Sequence, residues 1–341
     1  MNRNFKNLCI SMFLLTALTA CSSDSDNDSN TPTSDVSIRF SDAAIGDLSE
    51  VVITVDKLIF NREGTDIEVD TFTSEELNIE NSDTFQLDLL DVQGLNNKLV
   101  LDSVILPVGE YQNLRIQVLD NDIDNTYVWE KDGLAAKELK VPSDELKLGP
   151  FTVSSDSTQT FVVEFALNQA MTYNPGPDRY ILKPRGIRVV RLEEAAHISG
   201  VVDLTSLHDL EGCSEKPDPA IGNVAYLYAG HELDVNLLGD VFVREDESAE
   251  FQEFDENVAA DIIAPITSAP IDGMTGEYLF SYLQPGNYSL AISCQAQVDD
   301  PVIYDEIVIP SPAAQLIEVN LEEETHLECN FPDPNTCLAI N

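Results

Sequence analysis

Three aspartates at alternate positions form a concentrated set of potential metal ligands. Asp120, Asp122 and Asp124 lie in the segment LDNDIDNTYVWE. Carboxylate oxygens at this spacing begin many calcium-binding loops. The EF-hand pattern is not met, because Asn125 stands where that loop requires glycine. The segment therefore predicts either a looser calcium loop or an acidic hairpin tip that holds no metal.

Four of the six cysteines lie in the second half of the chain, at Cys213, Cys294, Cys329 and Cys337. No CxxC pair and no histidine at ligand spacing supports a zinc site there. An even number of cysteines in an exported protein is typical of disulfides, with three possible pairings. Cys294 shares the apolar face of YSLAISC, within reach of the loop around Cys213, and Cys329 and Cys337 enclose a short turn-rich segment. We therefore predict the pairs Cys213–Cys294 and Cys329–Cys337.

The sequence carries no recognisable catalytic signature. Its four histidines, His197, His208, His231 and His326, lie outside any HExxH motif. A GxSxG elbow, a P-loop and a GxGxxG motif are also missing. We predict a protein that is not an enzyme and needs no cofactor, apart from calcium if the aspartate loop binds it.

The chain is strongly acidic, with 18 Lys and Arg against 61 Asp and Glu and a formal net charge of −43. Binding to nucleic acid requires a basic face, so DNA and RNA are excluded as partners. Docking on anionic lipid is disfavoured for the same reason. Such acidity suits a solvated surface in saline surroundings or a protein that meets divalent cations.

The N-terminal segment changes character at Cys21. Arg3 and Lys6 precede the apolar run LCISMFLLTAL, which is shorter than the ~20 residues of a membrane-spanning helix. The run ends in LTAC, and residues 22–34 are then polar. This arrangement resembles a bacterial lipoprotein signal, which implies removal of residues 1–20 and acylation of Cys21. The alternative is an ordinary secretory signal with a chance cysteine.

The lipoprotein resemblance also implies a location. The residue after Cys21 is Ser22 rather than the Asp that favours retention in the inner membrane, so we expect sorting to the outer membrane, on a face that the sequence leaves open. Residues 21–34 lack aliphatic and aromatic side chains, and we expect them to form a disordered acidic tether.

Apolar residues alternate with polar ones in many short runs separated by Pro, Gly, Asn and Asp. This period of two is typical of β-strands. The predicted inward sets are Leu114, Ile116 and Val118; Phe161, Val163, Phe165 and Leu167; and Tyr288, Leu290, Ile292 and Cys294. The pattern predicts an all-β fold of two β-sandwich (prealbumin- or Ig-like) domains in tandem. One exception, AEFQEFDENVAADII, predicts a short helix in an insertion, with Phe251, Phe254, Val258 and Ile262 on one face.

About 320 mature residues exceed what one core usually serves. We predict a first sandwich over 35–192, a second over 197–325 and a cysteine-containing tail over 326–341. The segments LPVGEY and LQPGNY echo each other before a strand in each half. This echo indicates either related sandwiches or convergent turn chemistry.

The first half resembles a bacterial envelope-lipoprotein family known as a domain of unknown function, DUF4382. The matching pieces occur in the family's order, and the resemblance implies no activity. They are SDAAIGDLSEVVITVDKLIF (41–60), LDLLDVQG (87–94), LPVGEYQNLRIQVL (106–119), LKVPSDELKLGPFTV (139–153) and YILKPRGIRVV (180–190).

The second half resembles a carboxypeptidase-regulatory-like sandwich, a non-catalytic module with a carbohydrate-binding-like fold. The motif is TGEYLFSYLQPGNYSL (Thr275–Leu290), preceded by HISGVVDL and IGNVAYLYAG. Residues 232–270 are longer and more acidic than the family's usual loop. Starch-type sites need exposed aromatic platforms, yet the single tryptophan, Trp129, lies in the first half. Most tyrosines on the second half's strands are expected in its core: Tyr226, Tyr228, Tyr278, Tyr282 and Tyr288.

These features predict a non-enzymatic, lipid-anchored surface protein that acts as a binding module, with a glycan or a calcium-assisted ligand as its target. The alternative is a structural or assembly component of the envelope with an envelope protein as its partner. The ligand and the oligomeric state stay open at this point.

Overall fold

The structure, a computed structural model, describes residues 31–43, 48–156, 158–245, 251–297, 299–311, 316–332 and 337–340. Pro32–Asn341 forms one compact unit. The predicted all-β fold is confirmed, because the described residues form many short strands in paired sheets. The signal peptide, Cys21 and nearly all of the predicted tether lie outside the described residues.

Seventeen strands form the part of the chain that we call the first module. They are β1 (Thr33–Asp42), β2 (Leu48–Arg62), β3 (Thr65–Val69), β4 (Phe72–Ser74), β5 (Ile79–Ser82), β6 (Phe85–Asp88), β7 (Lys98–Pro107), β8 (Gly109–Tyr111), β9 (Asn113–Val118), β10 (Tyr127–Glu130), β11 (Lys137–Lys140), β12 (Glu145–Lys147), β13 (Phe151–Val153), β14 (Thr158–Phe165), β15 (Met171–Asn174), β16 (Arg179–Leu182) and β17 (Ile187–Arg191).

The first module packs two main sheets face to face. One has the order β17-β14-β1-β7, with β1 and β14 parallel. The other has the order β12-β9-β2-β10-β11-β16-β15, and the long strand β2 also pairs with β3 and β6. Alternate residues of β1 and β2 meet in the core between these sheets, among them Val36, Ile38, Phe40, Val51 and Ile53. Their alternation follows from the strand's period of two, which sends every second side chain inward.

Eight strands form the second module. They are β18 (Ala196–Val201), β19 (Val224–Ala229), β20 (Thr267–Pro270), β21 (Glu277–Leu283), β22 (Gly286–Ser293), β23 (Leu316–Leu321), β24 (His326–Cys329) and β25 (Cys337–Ile340). Its sheets have the orders β21-β18-β24-β25 and β20-β19-β22-β23 and enclose a second core. The segment over 326–341 therefore contributes two strands, and β24 runs parallel to β18.

Helical elements are short in the described part of the chain. The α-helices are α1 (Leu167–Ala170) and α2 (Leu204–His208). The 3-10 helices are Leu89–Val92, Pro142–Asp144 and Val235–Leu237. No helix among these residues is both long and apolar enough to cross a bilayer.

The echoed segments of the two modules make the same hydrogen bond. The hydroxyl of Tyr111 donates to the carbonyl oxygen of Pro107 at 2.8 Å, and that of Tyr288 donates to Gln284 at 2.6 Å. Each bond spans four residues and fixes a buried tyrosine ring, with Tyr111 at the end of β8 and Tyr288 near the start of β22, as in the tyrosine corner of Ig-like sandwiches. The sequence echo thus corresponds to one structural device used twice.

The predicted helix between residues 249 and 263 is wrong for its described part, 251–263, which is irregular. The carboxylate of Asp255 accepts a hydrogen bond from the backbone N–H of Asn257 at 2.9 Å, an arrangement that competes with helix formation. The guanidinium of Arg244 donates hydrogen bonds to the carbonyl oxygens of Val258 and Ile262, at 3.2 and 2.7 Å. This segment is therefore a loop, in which Phe254 is 41% exposed.

Candidate ligand-binding groove

A groove with a volume of about 780 Å³ lies where the two modules meet. Most of its wall comes from β18, β20, β21 and β24 of the second module, and Ala43, Leu95 and Lys131 of the first module complete it. Its apolar surface comes from Leu95, Val201, Ile271 and Leu279, among others, and its polar groups are Lys131, Ser199, Asp272, Glu277, His326 and Glu328. This combination of apolar wall and convergent polar groups is typical of ligand sites.

A hydroxyl–imidazole pair lies in the groove because β18 and β24 are parallel neighbours. Ser199 is paired with Glu328 in the ladder, and His326 lies two residues before Glu328 on the same face. The Oγ atom of Ser199 lies 2.8 Å from Nε2 of His326. Burial lowers the pKa of His326, while Glu328 raises it. The imidazole is therefore neutral at neutral pH and can exchange hydrogen bonds with a bound ligand.

The serine–histidine pair does not by itself build a hydrolytic site. A nucleophilic serine needs a histidine whose second nitrogen is oriented by another group. Among the described residues, no carboxylate hydrogen-bonds to Nδ1 of His326. The prediction that the protein is not an enzyme stays a prediction.

The tight floor of the groove requires glycine at position 200. The hydroxyl of Tyr278 donates a hydrogen bond to the carbonyl oxygen of Cys329 at 2.5 Å. A Cβ atom at Gly200 would overlap both groups. The ring of Tyr278 is therefore held in the core, and the predicted burial of the second module's tyrosines is confirmed, with exposures from 0% for Tyr226 to 8% for Tyr288.

The groove is acidic. Asp272 accepts hydrogen bonds from the backbone N–H groups of Thr275 and Met274, at 2.7 and 2.8 Å, and the bond from Thr275 contributes most to lowering its pKa. Asp272 is therefore ionised, and Glu277 and Glu328 stand in the same lining. Lys131 is the one lysine or arginine in the described lining. Because carboxylates outnumber cationic side chains in this lining, the groove favours a neutral or basic ligand over an anionic one.

Tyr282 connects the groove wall to the first module. Its hydroxyl donates to the carbonyl oxygen of Leu95 and accepts from the side-chain amide of Asn97, both at 2.6 Å. Its backbone N–H donates to Nδ1 of His197 at 3.1 Å, and burial together with the neighbouring His326 lowers the pKa of His197 to about 4. The junction is therefore built on a neutral imidazole.

A buried charged group lies beside this contact. Glu164 on β14 and Arg188 on β17 are joined through Ser281 of the second module. The hydroxyl of Ser281 donates to Oε1 of Glu164 at 2.5 Å, and its carbonyl oxygen accepts from Arg188 at 3.2 Å. Burial raises the pKa of Glu164, whereas the positive charge of Arg188 lowers it. The second module thus covers the outer face of the β17-β14-β1-β7 sheet.

The long segment 232–270 adds a second clamp between the modules. The carboxylate of Glu253 accepts from the Thr172 hydroxyl at 2.8 Å and from Arg185 at 3.1 Å, and lies 3.4 Å from the ammonium of Lys183. The guanidinium of Arg179 lies 4.6 Å from the centroid of the Phe251 ring. Cations of the first module therefore hold the acidic insertion of the second.

Asp240 of this insertion has Asp299 as a negatively charged neighbour, and we call these two residues the buried carboxylate pair. Burial, with Asp299 and Asp305 as negative neighbours, raises the pKa of Asp240 to about 7. Burial, with Asp305 and Asp300, raises that of Asp299 to about 6. The Oδ2 atom of Asp240 accepts a hydrogen bond from the Ile307 N–H at 2.9 Å. The Oδ2 atom of Asp299 accepts one from the Tyr226 hydroxyl at 2.6 Å. The Oδ1 atom of each is buried without a hydrogen-bond partner.

The prediction of two disulfides is confirmed. Cys213 is bonded to Cys294, and Cys329 is bonded to Cys337. The first joins the loop after α2 to the end of β22, and the second joins β24 to β25, where the two cysteines are direct partners in the ladder. Both fasten the second module.

The three aspartates predicted as calcium ligands are not brought together. Asp120 is 2% exposed and accepts a hydrogen bond from the Val141 N–H at 2.6 Å, and lies 2.9 Å from the ammonium of Lys140. Asp122 is exposed and accepts from the backbone N–H of Asp124 at 3.0 Å. The described residues contain no group of three or more His, Cys, Asp or Glu side chains placed to hold a metal. Calcium at this tip stays a prediction.

Sequence reasoning missed the groove residues and the buried carboxylate pair. His326 and Ser199 are separated by 127 positions, so only the pairing of β18 with β24 joins them. The sequence did mark the segment 232–270 as unusual, since it is longer and more acidic than the corresponding loop of the carboxypeptidase-regulatory-like family. Its positively charged partners, Lys183 and Arg185, lie in a segment already quoted for the first half, KPRG.

Comparisons with solved structures give only weak similarity. The Bacillus anthracis TIE protein shares 9% identity with a TM-score of 0.17, covering 88% of this chain and 33% of that one. The minor pilin GBS52 of Streptococcus agalactiae shares 11% identity, with a TM-score of 0.18 and coverage of 87% and 94%. The major pilin subunit of Bacillus cereus shares 8%, with a TM-score of 0.17 and coverage of 88% and 69%. Scores this low support no inference.

The chain thus spans about a third of the length of the TIE protein. No curated protein matches the chain. Residues 33–184 match the family described as Domain of unknown function (DUF4382). The predicted resemblance of the first half is therefore confirmed over these residues, and the first module is similar to a family whose description names no activity.

Proposed function

We propose that the protein is a lipid-anchored component of the bacterial envelope that binds a neutral or basic glycan in the groove between its modules. The observation that carries this proposal is the groove itself, which combines an apolar wall with six polar side chains. Hydroxyl-rich ligands suit a site that offers both acceptors and donors. The carboxylates of Asp272, Glu277 and Glu328 disfavour phosphorylated or acidic polymers.

Location is the second part of the proposal. Two disulfides are typical of proteins that mature outside the cytoplasm. The LTAC segment supplies the lipid-attachment residue, Cys21, and several acyl chains together hold a protein firmly on a membrane. The outer membrane is the membrane that we propose, because Ser22 rather than Asp follows Cys21.

A second candidate is a rigid spacer in an envelope assembly. It is supported by the contacts between the modules, namely the Glu164–Ser281–Arg188 group, the Tyr282–Asn97 bond and the Glu253 clamp. A spacer needs this rigidity but no groove. Loss of function on filling the groove therefore separates the two candidates.

We expect the mature protein to be retained on an array of neutral and amino-sugar glycans and the Val201→Arg variant to lose most of that retention. Val201 is 41% exposed and lines the groove, so arginine there fills the space without disturbing a core. Ile105→Arg is the matched control, because Ile105 is 59% exposed and lies outside the groove. Equal retention of both variants would refute the groove as the site.

Replacing Cys21 with alanine is expected to move the full-length protein from the membrane fraction to the soluble fraction. The physical reason is the loss of acyl chains, each of whose buried methylenes contributes ~0.8 kcal/mol. Mass spectrometry of the N-terminal peptide of the wild-type protein should show acylation. An unmodified peptide, together with unchanged partitioning of the variant, would support the ordinary secretory signal instead.

A further inference from the structure

A second cavity opens beside the groove, in the first module. It has a volume of about 310 Å³ and is lined by Leu48, Glu130, Lys131, Asp132 and Tyr180. Lys131 also lines the groove between the modules, so the two cavities meet at this side chain. Ligand sites have volumes of ~300–1,000 Å³, a range that includes both cavities. The space available to a ligand therefore continues past Lys131 onto the first module.

The sheet register places two tyrosine rings at the second cavity, and we call Tyr173 and Tyr180 the tyrosine pair. Tyr173 on β15 and Tyr180 on β16 are direct partners in the ladder, and Tyr180 is also the partner of Leu139 on β11. Because partners in a ladder share one face of the sheet, both tyrosines lie on the face that carries the buried Leu139. Their ring centroids are 5.1 Å apart, and Tyr173 is 44% exposed. The pair therefore forms an aromatic surface at the margin of the first core.

Hydrogen bonds and ion pairs hold the tyrosine pair in position. The hydroxyl of Tyr180 donates to Oε1 of Glu130 at 2.8 Å, and that of Tyr173 donates to Asp178 at 2.6 Å. The ammonium of Lys137 lies 3.0 Å from Glu130 and 2.8 Å from Asp178. It also lies 4.5 Å from the centroid of the Tyr173 ring. These groups are therefore positioned before a ligand arrives, which lowers the entropic cost of binding.

The chemistry of the second cavity matches that of the groove. Glu130 and Asp132 supply carboxylates, and Leu48 and Tyr180 supply apolar surface. The groove likewise combines carboxylates with an apolar wall. Lys131 is the one lysine or arginine in the described linings of the two cavities. Both cavities therefore suit the same class of ligand, one that is neutral or basic and carries hydroxyl groups.

We propose that the groove and the second cavity form one extended cleft for a linear oligosaccharide, whose chain passes Lys131 and reaches the tyrosine pair. This inference rests on the proposed function and adds the length of the glycan to it. A single sugar cannot occupy both cavities at once, whereas a chain of sugars can. The C–H groups on one face of a sugar ring pack on an aromatic ring, and its hydroxyl groups donate to carboxylates. The ammonium of Lys131 can donate to sugar oxygens where the chain crosses from one module to the other.

The test is calorimetric titration of the mature protein with sugars of increasing length. The probes are linear β-1,4-linked chains of glucose, which are neutral, and of glucosamine, which are basic, from the monosaccharide to the hexasaccharide. We expect the affinity to rise at least tenfold from the disaccharide to the hexasaccharide, because only the longer chain reaches the second cavity. Equal affinity for the two lengths would leave the groove as the site and overturn the extended cleft. An absence of binding at every length would contradict the proposed function itself, and this inference with it.

Two variants test whether the gain in affinity with length comes from the second cavity. Asp132→Arg fills the cavity from an exposed position, and Tyr173→Ala removes the more exposed ring of the tyrosine pair. In each variant we expect the hexasaccharide to bind no more tightly than the disaccharide. The matched control is Asp124→Arg, which makes the same change of charge in an exposed turn outside both cavities and should keep the gain. The proposal is overturned if the gain persists in both cavity variants or disappears in the control.

Discussion

Replacing both cysteines of the Cys213–Cys294 disulfide with alanine is expected to lower the free energy of unfolding by about 4.5 kcal/mol. The bond closes a loop between residues separated by 81 positions, and removing it frees that loop in the unfolded chain. Both cysteines are buried, at 0% and 1% exposure, so alanine avoids placing an unpaired polar group in the core. Denaturant unfolding monitored by circular dichroism measures the change.

The Cys329–Cys337 disulfide is the matched control because it closes a loop of only 8 positions. The same entropic relation gives it a smaller effect, about 2.5 kcal/mol. We therefore expect the Cys213/Cys294 double variant to be the less stable of the two. A reversed order would show that the bonds act mainly on the folded state rather than on the unfolded chain.

Replacing Glu164 with alanine is expected to destabilise the protein by about 3–5 kcal/mol. The substitution removes the charge that faces the buried guanidinium of Arg188 and the acceptor for the Ser281 hydroxyl. The buried guanidinium of Arg188 then faces no negative charge, and the buried Ser281 hydroxyl loses its acceptor. Thermal and denaturant melts measure the loss. Glu68→Ala is the control, because the Lys57–Glu68 pair at 2.7 Å lies at the surface, where solvent screening leaves an ion pair with little effect on stability.

The double variant Glu164→Leu/Arg188→Met distinguishes this explanation from simple loss of packing. Replacing both members of a buried charged pair by apolar residues removes the uncompensated charge, so the double variant should be more stable than Glu164→Ala. If the two substitutions destabilise the protein independently, Glu164 and Arg188 are not energetically coupled.

Alternation in the sequence predicted one face of β14 correctly and missed the other. Phe161, Val163 and Phe165 point into the core as predicted, at 2%, 0% and 0% exposure. Glu164 and Val162, on the opposite face, are equally buried because the second module covers them. The alternation of apolar and polar residues predicts which face of a strand points into the core of its own sandwich. It does not predict that another module buries the opposite face.

The predicted calcium ligands also show that sequence spacing does not reveal which side chains the fold brings together. Their spacing in sequence predicted a shared ion for Asp120, Asp122 and Asp124. In the structure, the carboxylate of Asp120 instead forms an ion pair with Lys140. Asn168 and Asp299, in contrast, are far apart in sequence and line one cavity only because the two modules pack together. The disulfides were predictable because strand phase placed Cys294 inside and a short loop joined Cys329 to Cys337.

Hydrogen–deuterium exchange of the mature protein with its retained glycan tests the central claim most directly. The turn between β20 and β21 lines the groove, and Met274 at its tip is 92% exposed. The proposed function predicts that glycan binding slows exchange in this turn, in the wild-type protein and in Ile105→Arg but not in Val201→Arg. Protection that spares the turn, or that persists in Val201→Arg, would contradict it.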